Sequence, residues 1–480
     1  MQIPDGPGVR CVPVFIGKTA YPRPLPPKKI PQHPLLSPVS GIHSDSYNSD
    51  VDGFAGPLGI NPHVHSSFIG MCPIIMFDGD GRLAAVSFDP EIIGMGITAI
   101  DPDTLEVIDR YPIPFDLKKM FTGGAGDQGV SVNGAYFHLD SHGKAIVGTQ
   151  NNYFQEFQLH DDSQGQQRWV LTRSIDLQSF LPGDQFLIDT QYDWNGNVWF
   201  VSSEGIVGYI DYVDHTIHTT ELVGELIENG IAVAEDGVYI LTSEAAYRFE
   251  ISPFSRRPGY TWRIPYDRGT IPKPGTFALG SGSTPTLLGD DLITFTDNAD
   301  YQVNLLVYRR GKHILGERFV GKVPLFEPGA SAVDVSMIGH YNSIIVQNIY
   351  NAGKFLDDYR NLSSGLTRID VREDRSGCDV VWVSNVRTTT VSKLSTENGL
   401  IYTYTQLLGV HDPVDAWYLT AIDFHTGKVI FRVLTGTGPL KNNAFGGLAI
   451  GPNGTVYQGV VGGIISVRDS ATSGGKGLKK

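Results

Sequence analysis

A chain of 480 residues is long enough for two or three ordinary domains, but its 56 glycines, 29 prolines and 10% aromatic residues point to many short strands joined by tight turns. Its formal charge of −14 opposes sequence-blind affinity for nucleic acid or an anionic lipid surface, since both need a positive field. No apolar run approaches the roughly 20 residues that span a bilayer, so no membrane partner is expected.

The N-terminus lacks the basic, apolar, then small-residue pattern of a secretory signal. The chain therefore reads as soluble, either in the secretory pathway with its signal removed or in the cytoplasm. Residues 1–60 read as an N-terminal arm. Within it "VRCVPVFIG" is a candidate strand, while residues 20–39, "AYPRPLPPKKIPQHPLLSPV", are too proline-dense for a central strand and are expected to wrap the outside. Three cysteines, Cys11, Cys72 and Cys378, leave an odd thiol and exclude a disulfide scaffold; one bridge remains open, with Cys11 to Cys72 the expected pair. Sequons stand at Asn361 and Asn453.

Residues 61–470 hold the repeats. Eight segments share one form, an apolar run, a turn of Asp, Asn, Gly or Ser, then a second alternating run: "MFDGDGRLAAVSF", "FHLDSHGKAIVGT", "QYDWNGNVWFVSS", "AVAEDGVYILTS", "TLLGDDLITFTD", "SMIGHYNSIIVQN", "KLSTENGLIYTYT" and "LAIGPNGTVYQGV". A second hairpin follows most of them, as in "LTAIDFHTGKVIFRVL". Repeated four-stranded sheets at this spacing specify an all-β fold, a single β-propeller of seven or eight four-stranded blades. The last unit has only three strands, and its fourth is expected from the N-terminal "VRCVPVFIG". Residues 471–480, rich in Gly and Lys, read as a flexible tail.

In such a ring the residues flanking each first hairpin converge on one rim. Those groups include Asp127, Gln128, Asp189, Glu228, Asn229, Asp297, Asn298, Asn348, Lys393 and Asn443, with Tyr350, Tyr301, Tyr153, Phe154 and Trp417 as aromatic walls. A mixed polar and aromatic concavity suits a small organic ligand. Other motifs carry less. Asp78 and Asp80 in "DGDG" lack the downstream bidentate Glu of a calcium loop and fit a plain turn. His63 and His65 would share one strand face, but no second His pairing completes a metal site. Ser283 is followed by Thr and Pro, where a nucleophile elbow needs a helix.

"GSGSTPTLLGDDLITFTDNADYQVNLLVYRR", "GLTRIDVREDRSGCDVVWVS" and "WYLTAIDFHTGKVIFRVLTGTG" resemble a family of fungal and bacterial propeller proteins, and within it the fungal hetero-Diels-Alderases of tropolone sesquiterpenoid biosynthesis. The resemblance implies dehydration of a hydroxymethyl tropolone to an o-quinone methide, then cycloaddition onto a humulene-type alkene, with no organic cofactor or metal. Loss of water needs an acid at the leaving hydroxyl and a base at the ring hydroxyl, and cycloaddition needs two apolar partners in one orientation. The candidate acids and bases are Glu228, Asp297 and Lys393; Gln128, Asn298 and Asn348 are candidates to orient oxygens, and Tyr350 and Trp417 to pack the hydrocarbon. Two rivals stand beside this: a metal-dependent lactonase-like propeller hydrolase using Glu228, Asp297, Asn298 and Asn348, and a non-enzymatic propeller that binds a small molecule or a protein on its rim.

Overall fold

A computed structural model describes residues 12–78, 80–89, 94–115, 136–353, 359–408 and 415–470. Eight sheets stand around a ring, each opened by one of the eight hairpins read from the sequence. Blade 1 comprises Ile74–Phe77, Leu83–Asp89, Gly94–Ile100 and Val107–Ile113, from the channel outward. The inner strands of blades 2 to 8 begin at His138, Leu187, Ala232, Thr286, Ile338, Lys393 and Leu448. Among the described residues no helix is long and apolar enough to cross a membrane.

Burial explains the strand patterns. Second strands such as Val198–Ser202, Leu292–Thr296, Ser343–Gln347 and Val456–Val460 are buried at every residue, because both faces of a blade pack on neighbours. Outer strands such as Gln167–Asp176 contain alternating exposed positions instead. The inner hairpin tips repeat one device, an Asp whose Oδ1 accepts amides two and four residues on: Asp78 from Asp80 and Arg82, Asp140 from His142 and Lys144, Asp193 from Asn195 and Asn197. The "DGDG" segment is such a turn, and part of the acidic excess is therefore turn chemistry.

Ring closure differs from the expectation. The fourth strand of blade 8 is His63–Ser67, paired antiparallel with Gly463–Arg468, so the chain enters blade 1 from an outer strand as it enters every other blade. Phe15–Gly17, the described end of "VRCVPVFIG", is instead an extra outer strand on blade 7, against Phe431–Val433. The proposed Cys11–Cys72 bridge is not supported: Cys11 lies outside the described residues, and Cys72 is a free thiol buried among Ile75, Ala449 and Tyr457.

The proline-rich arm does not wrap the outside. It crosses the face that carries the inner hairpin tips, bonding Arg23 and Leu25 to Asn398 and Thr396 of blade 7, Pro27 to Tyr341 of blade 6, Lys29 to Asp290 of blade 5 and Leu35 to Ser141 of blade 2. It then turns into the channel. There the carbonyls of Ser40, Ser46, Tyr47, Ser49 and Asp50 accept the amides of Leu139, Val233, Leu287, Gly339 and Leu394 at 2.7–3.0 Å. Each donor is on an inner strand, and Val51–Asp52 pairs in parallel with Leu394–Ser395. This plug, residues 40–52, is almost wholly buried. It needs left-handed backbone at Ser44, Asn48 and Asp50 (φ 71°, 57° and 53°), which Asn and Asp adopt more readily than other L-residues.

Lys393 anchors the plug, its Nζ bonded to Ile42 O, to Ser44 Oγ at 3.1 Å and to Asp50 Oδ1 at 2.7 Å. Burial pushes the Asp50 carboxyl up, and Lys393 and His43 more than offset it, holding Asp50 below the usual carboxylate range. Lys393→Met leaves Asp50 buried without its cation and is expected to cost about 3–5 kcal/mol in urea unfolding. Adding Asp50→Asn is expected to restore part of that loss; strictly additive losses would show that the two groups are not coupled.

Candidate functional site

The segments that enter the inner strands meet at the face opposite the hairpin tips. Glu228, Gly282, Asp334 and Thr389 stand four residues ahead of the inner strands that begin at Ala232, Thr286, Ile338 and Lys393, so ring geometry carries them toward one axis. Side-chain to backbone hydrogen bonds hold these segments. Asn229 Nδ2 donates to Ser281 O at 2.9 Å, and the Ser281 amide donates to Tyr266 Oη at 2.9 Å. Gly282 lies against blade 6, where a Cβ would come within 2.3 Å of Val333 O and 2.8 Å of Asp334 Oδ1. A side chain there would push the two segments apart.

Glu228 and Asp334 are partly accessible at this mouth but otherwise surrounded by protein. Burial, followed by the charge of Asp334, holds the Glu228 carboxyl well above the usual carboxylate range. Burial likewise pushes Asp334 up to about 7, although the Phe277 amide donates to its Oδ2 at 2.6 Å. A carboxyl raised both by burial and by the charge of a neighbouring carboxylate does not ionise easily beside it, so Glu228 keeps its proton more tightly than a free carboxyl does. Tyr136, packed on Gly230, completes the polar side; burial pushes its phenol up to about 12.

The apolar side is a row of rings. Phe277, whose amide holds Asp334, meets Phe445 edge-on at 5.4 Å; Phe445 meets Tyr359 at 6.2 Å, and Tyr359 meets Trp417 at 5.9 Å. Phe445 has φ 63°, a strained conformation for a bulky side chain and of the kind that concentrates at functional sites. Tyr350 is half-buried against the same cluster.

The residues expected from sequence fall into separate groups. Glu228 is at the mouth and Tyr350 joins the aromatic row. Asp297 lies between blade strands, its carboxylate accepting the Asn304 amide at 2.7 Å and Asn304 Nδ2 at 2.9 Å, with Lys322 Nζ at 3.3 Å. Asn298 binds the backbone of Asp267 and Arg268, and Asn348 binds the backbone of Ala330, Ala332 and Tyr350. Lys393 holds the plug. Trp417 is 2% exposed, stacked on Tyr404 at 5.7 Å with Nε1 on Gly438 O, so it backs the aromatic row. Gln128, like Asp127, lies outside the described residues. Glu228, Asp297, Asn298 and Asn348 thus do not form the shared cluster that the hydrolase reading expects, because three of them close their own turns. Among the described residues no group of three or more His, Cys, Asp or Glu side chains is arranged to hold a metal ion. Sequence reasoning missed Asp334, Tyr136, Phe277 and Phe445. Only Asp334 had a signal, its place four residues before an inner strand, matching Glu228.

No family model matches the chain. An uncharacterized protein of Archaeoglobus fulgidus is 25% identical over 306 residues, 56% of this chain and 58% of its own length, so the match leaves a large part of that relative unspanned. Among solved structures, the computationally designed Ika8 protein has a TM-score of 0.50 at 10% identity, covering 87% of this chain and 100% of its own. BamB from Moraxella catarrhalis (TM-score 0.44, 11% identity, 88% and 97% covered) and streptogramin B lyase (0.40, 12%, 85% and 98%) are more distant in shape. At such identities the likeness is one of fold, the β-propeller.

Asp334 gives the site a pH signature. Its native carboxyl titrates near 7 against 3.8 for an unperturbed one, so the native state binds the proton more tightly. The resulting stability is full below the unfolded value and is lost as pH rises through about 7. Melting temperatures of wild type and Asp334→Asn, compared between about pH 4 and pH 8, are expected to show the variant gaining on wild type as pH rises. A difference that does not change with pH would remove this titration.

Proposed function

We propose that this propeller is an acid/base enzyme acting on a small, largely apolar molecule that carries hydroxyl groups. The observation behind this reading is the Glu228–Asp334 pair, two carboxyls with raised affinity for protons, at a channel mouth next to the Phe277–Phe445 rings. A carboxyl still protonated near neutral pH is suited to general acid catalysis. The sequence resemblance supplies the finer reading, dehydration of a hydroxymethyl tropolone to an o-quinone methide and its hetero-Diels–Alder addition to a humulene-type alkene.

In this scheme Glu228 gives its proton to the departing hydroxyl as the carbon–oxygen bond breaks, and water leaves. Asp334 holds Glu228 in its protonated form until then. The proton lost from the ring hydroxyl must reach a second acceptor. The cycloaddition moves no proton; its needs are an apolar wall and a fixed approach, and the Phe277, Phe445 and Tyr350 side of the mouth suits both.

The test supplies a hydroxymethyl tropolone and a humulene-type alkene and follows the adduct by mass spectrometry. Glu228→Gln is expected to lower the rate by about 10²- to 10⁴-fold without loss of folding. Asp80→Asn, at a hairpin tip on the far face, is expected to leave the rate unchanged. Wild-type protein that forms no adduct above the protein-free rate would overturn the finer reading, and a Glu228→Gln variant as fast as wild type would overturn the role of the pair.

A further inference from the structure

Beside the carboxyl pair, a line of polar side chains leads from the mouth into the plug. Tyr136 is partly accessible, its ring lies 5.9 Å from that of His43, and the Thr284 side chain and the Gly230 amide are the polar groups that favour its ionised form. Thr284 Oγ1 lies 3.1 Å from His43 Nε2, and both residues are buried. His43 Nδ1 faces Asp50 Oδ2 at 3.5 Å. Asp50 is in turn fixed by Lys393 Nζ at 2.7 Å and by the Ser336 hydroxyl. With Nδ1–H turned to Asp50, Nε2 is an acceptor, so Thr284 donates to it and can itself accept from Tyr136.

Anchoring the plug does not require this line to reach the mouth. Lys393 and the backbone bonds already secure the segment, and Thr284 comes from a different blade. We propose that Tyr136 is a catalytic residue that receives the proton of an acidic ring hydroxyl, and that Thr284, His43 and Asp50 position it and carry that proton inward. The substrate class is a phenol-like or tropolone-like hydroxyl, so the inference rests on the acid/base reading above.

The transfers balance. As the substrate O–H bond breaks, its proton joins Tyr136 Oη; the Tyr136 proton moves to Thr284 Oγ1, and the Thr284 proton moves to His43 Nε2, leaving an imidazolium beside the Asp50 carboxylate. The electron pair left on the substrate oxygen becomes the new carbonyl as the leaving hydroxyl departs with the Glu228 proton. One proton has then moved from Glu228 to His43, and its return through water resets the site.

The experiment uses the full chain with isotope-labelled histidine and tropolone itself as the probe. Its binding and ionisation are read from its ultraviolet absorbance, and the His43 imidazole is followed by nuclear magnetic resonance, assigned with His43→Gln. In wild type and Thr284→Ser, which keeps the hydroxyl, bound tropolone is expected to shift His43 toward imidazolium. In Thr284→Val and Tyr136→Phe the probe is expected to bind without that shift. A shift that persists in Thr284→Val, or its absence from wild type carrying bound tropolone, would overturn the relay. Should tropolone bind to none of the proteins, the ligand class fails, and the relay is judged alone: Tyr136→Phe is expected to move the His43 resonance in the wild-type background but not with Thr284→Val. Equal movement in both backgrounds overturns it.

Discussion

The inner edge of each blade sets the central constraint. A propeller strand at the channel has a neighbour on one side only, so its other edge presents amides that must find acceptors or water. Here the acceptors come from the chain itself, as the carbonyls of Ser40, Ser46, Tyr47, Ser49 and Asp50 reach inner strands of blades 2, 4, 5, 6 and 7. One polar segment therefore ties five blades together from inside, and the Lys393–Asp50 pair fixes it where water is excluded.

The remainder of the site builds on that segment. The plug occupies the channel against these blades, and the mouth is formed by the connections between blades. Those connections carry Tyr136, Glu228, Ser281–Gly282, Asp334 and Phe445, and two glycines allow their close approach: Gly230 under the Tyr136 ring and Gly282 against Asp334. Burial raises the proton affinity of both carboxyls, and the charge of Asp334 adds to it at Glu228, unlike Asp50, where Lys393 and His43 reverse the sign. The same fold thus holds the proton affinity of one buried carboxyl down and that of another pair up.

Residue type alone misled where turn chemistry and site chemistry use the same side chains. Asp297, Asn298 and Asn348 lie on the expected rim, yet each is engaged with its own loop: Asp297 with Asn304 and Lys322, Asn298 with the backbone at Asp267 and Arg268, Asn348 with that of Ala330 and Ala332. Glu228 and Asp334 differ: among the described residues the Glu228 carboxyl has no hydrogen-bond partner, and that of Asp334 accepts one amide, from Phe277. Position relative to the inner strand separated these cases better than chemical type.

By itself the sequence determined the all-β class, the eight hairpins and which residues flank them, because strand alternation, Asp-Gly turns and repeat spacing are local and are written in consecutive residues. The tertiary structure alone decided that eight blades close through His63–Ser67, that the proline-rich arm crosses one face, and that residues 40–52 enter the channel. It alone set Asp334 beside Glu228 and His43 within reach of Thr284, pairs separated by roughly 100 and 240 positions in the chain. Such contacts leave no periodic trace, since each depends on how far the closed ring brings distant loops together and on which polar groups that closure removes from water.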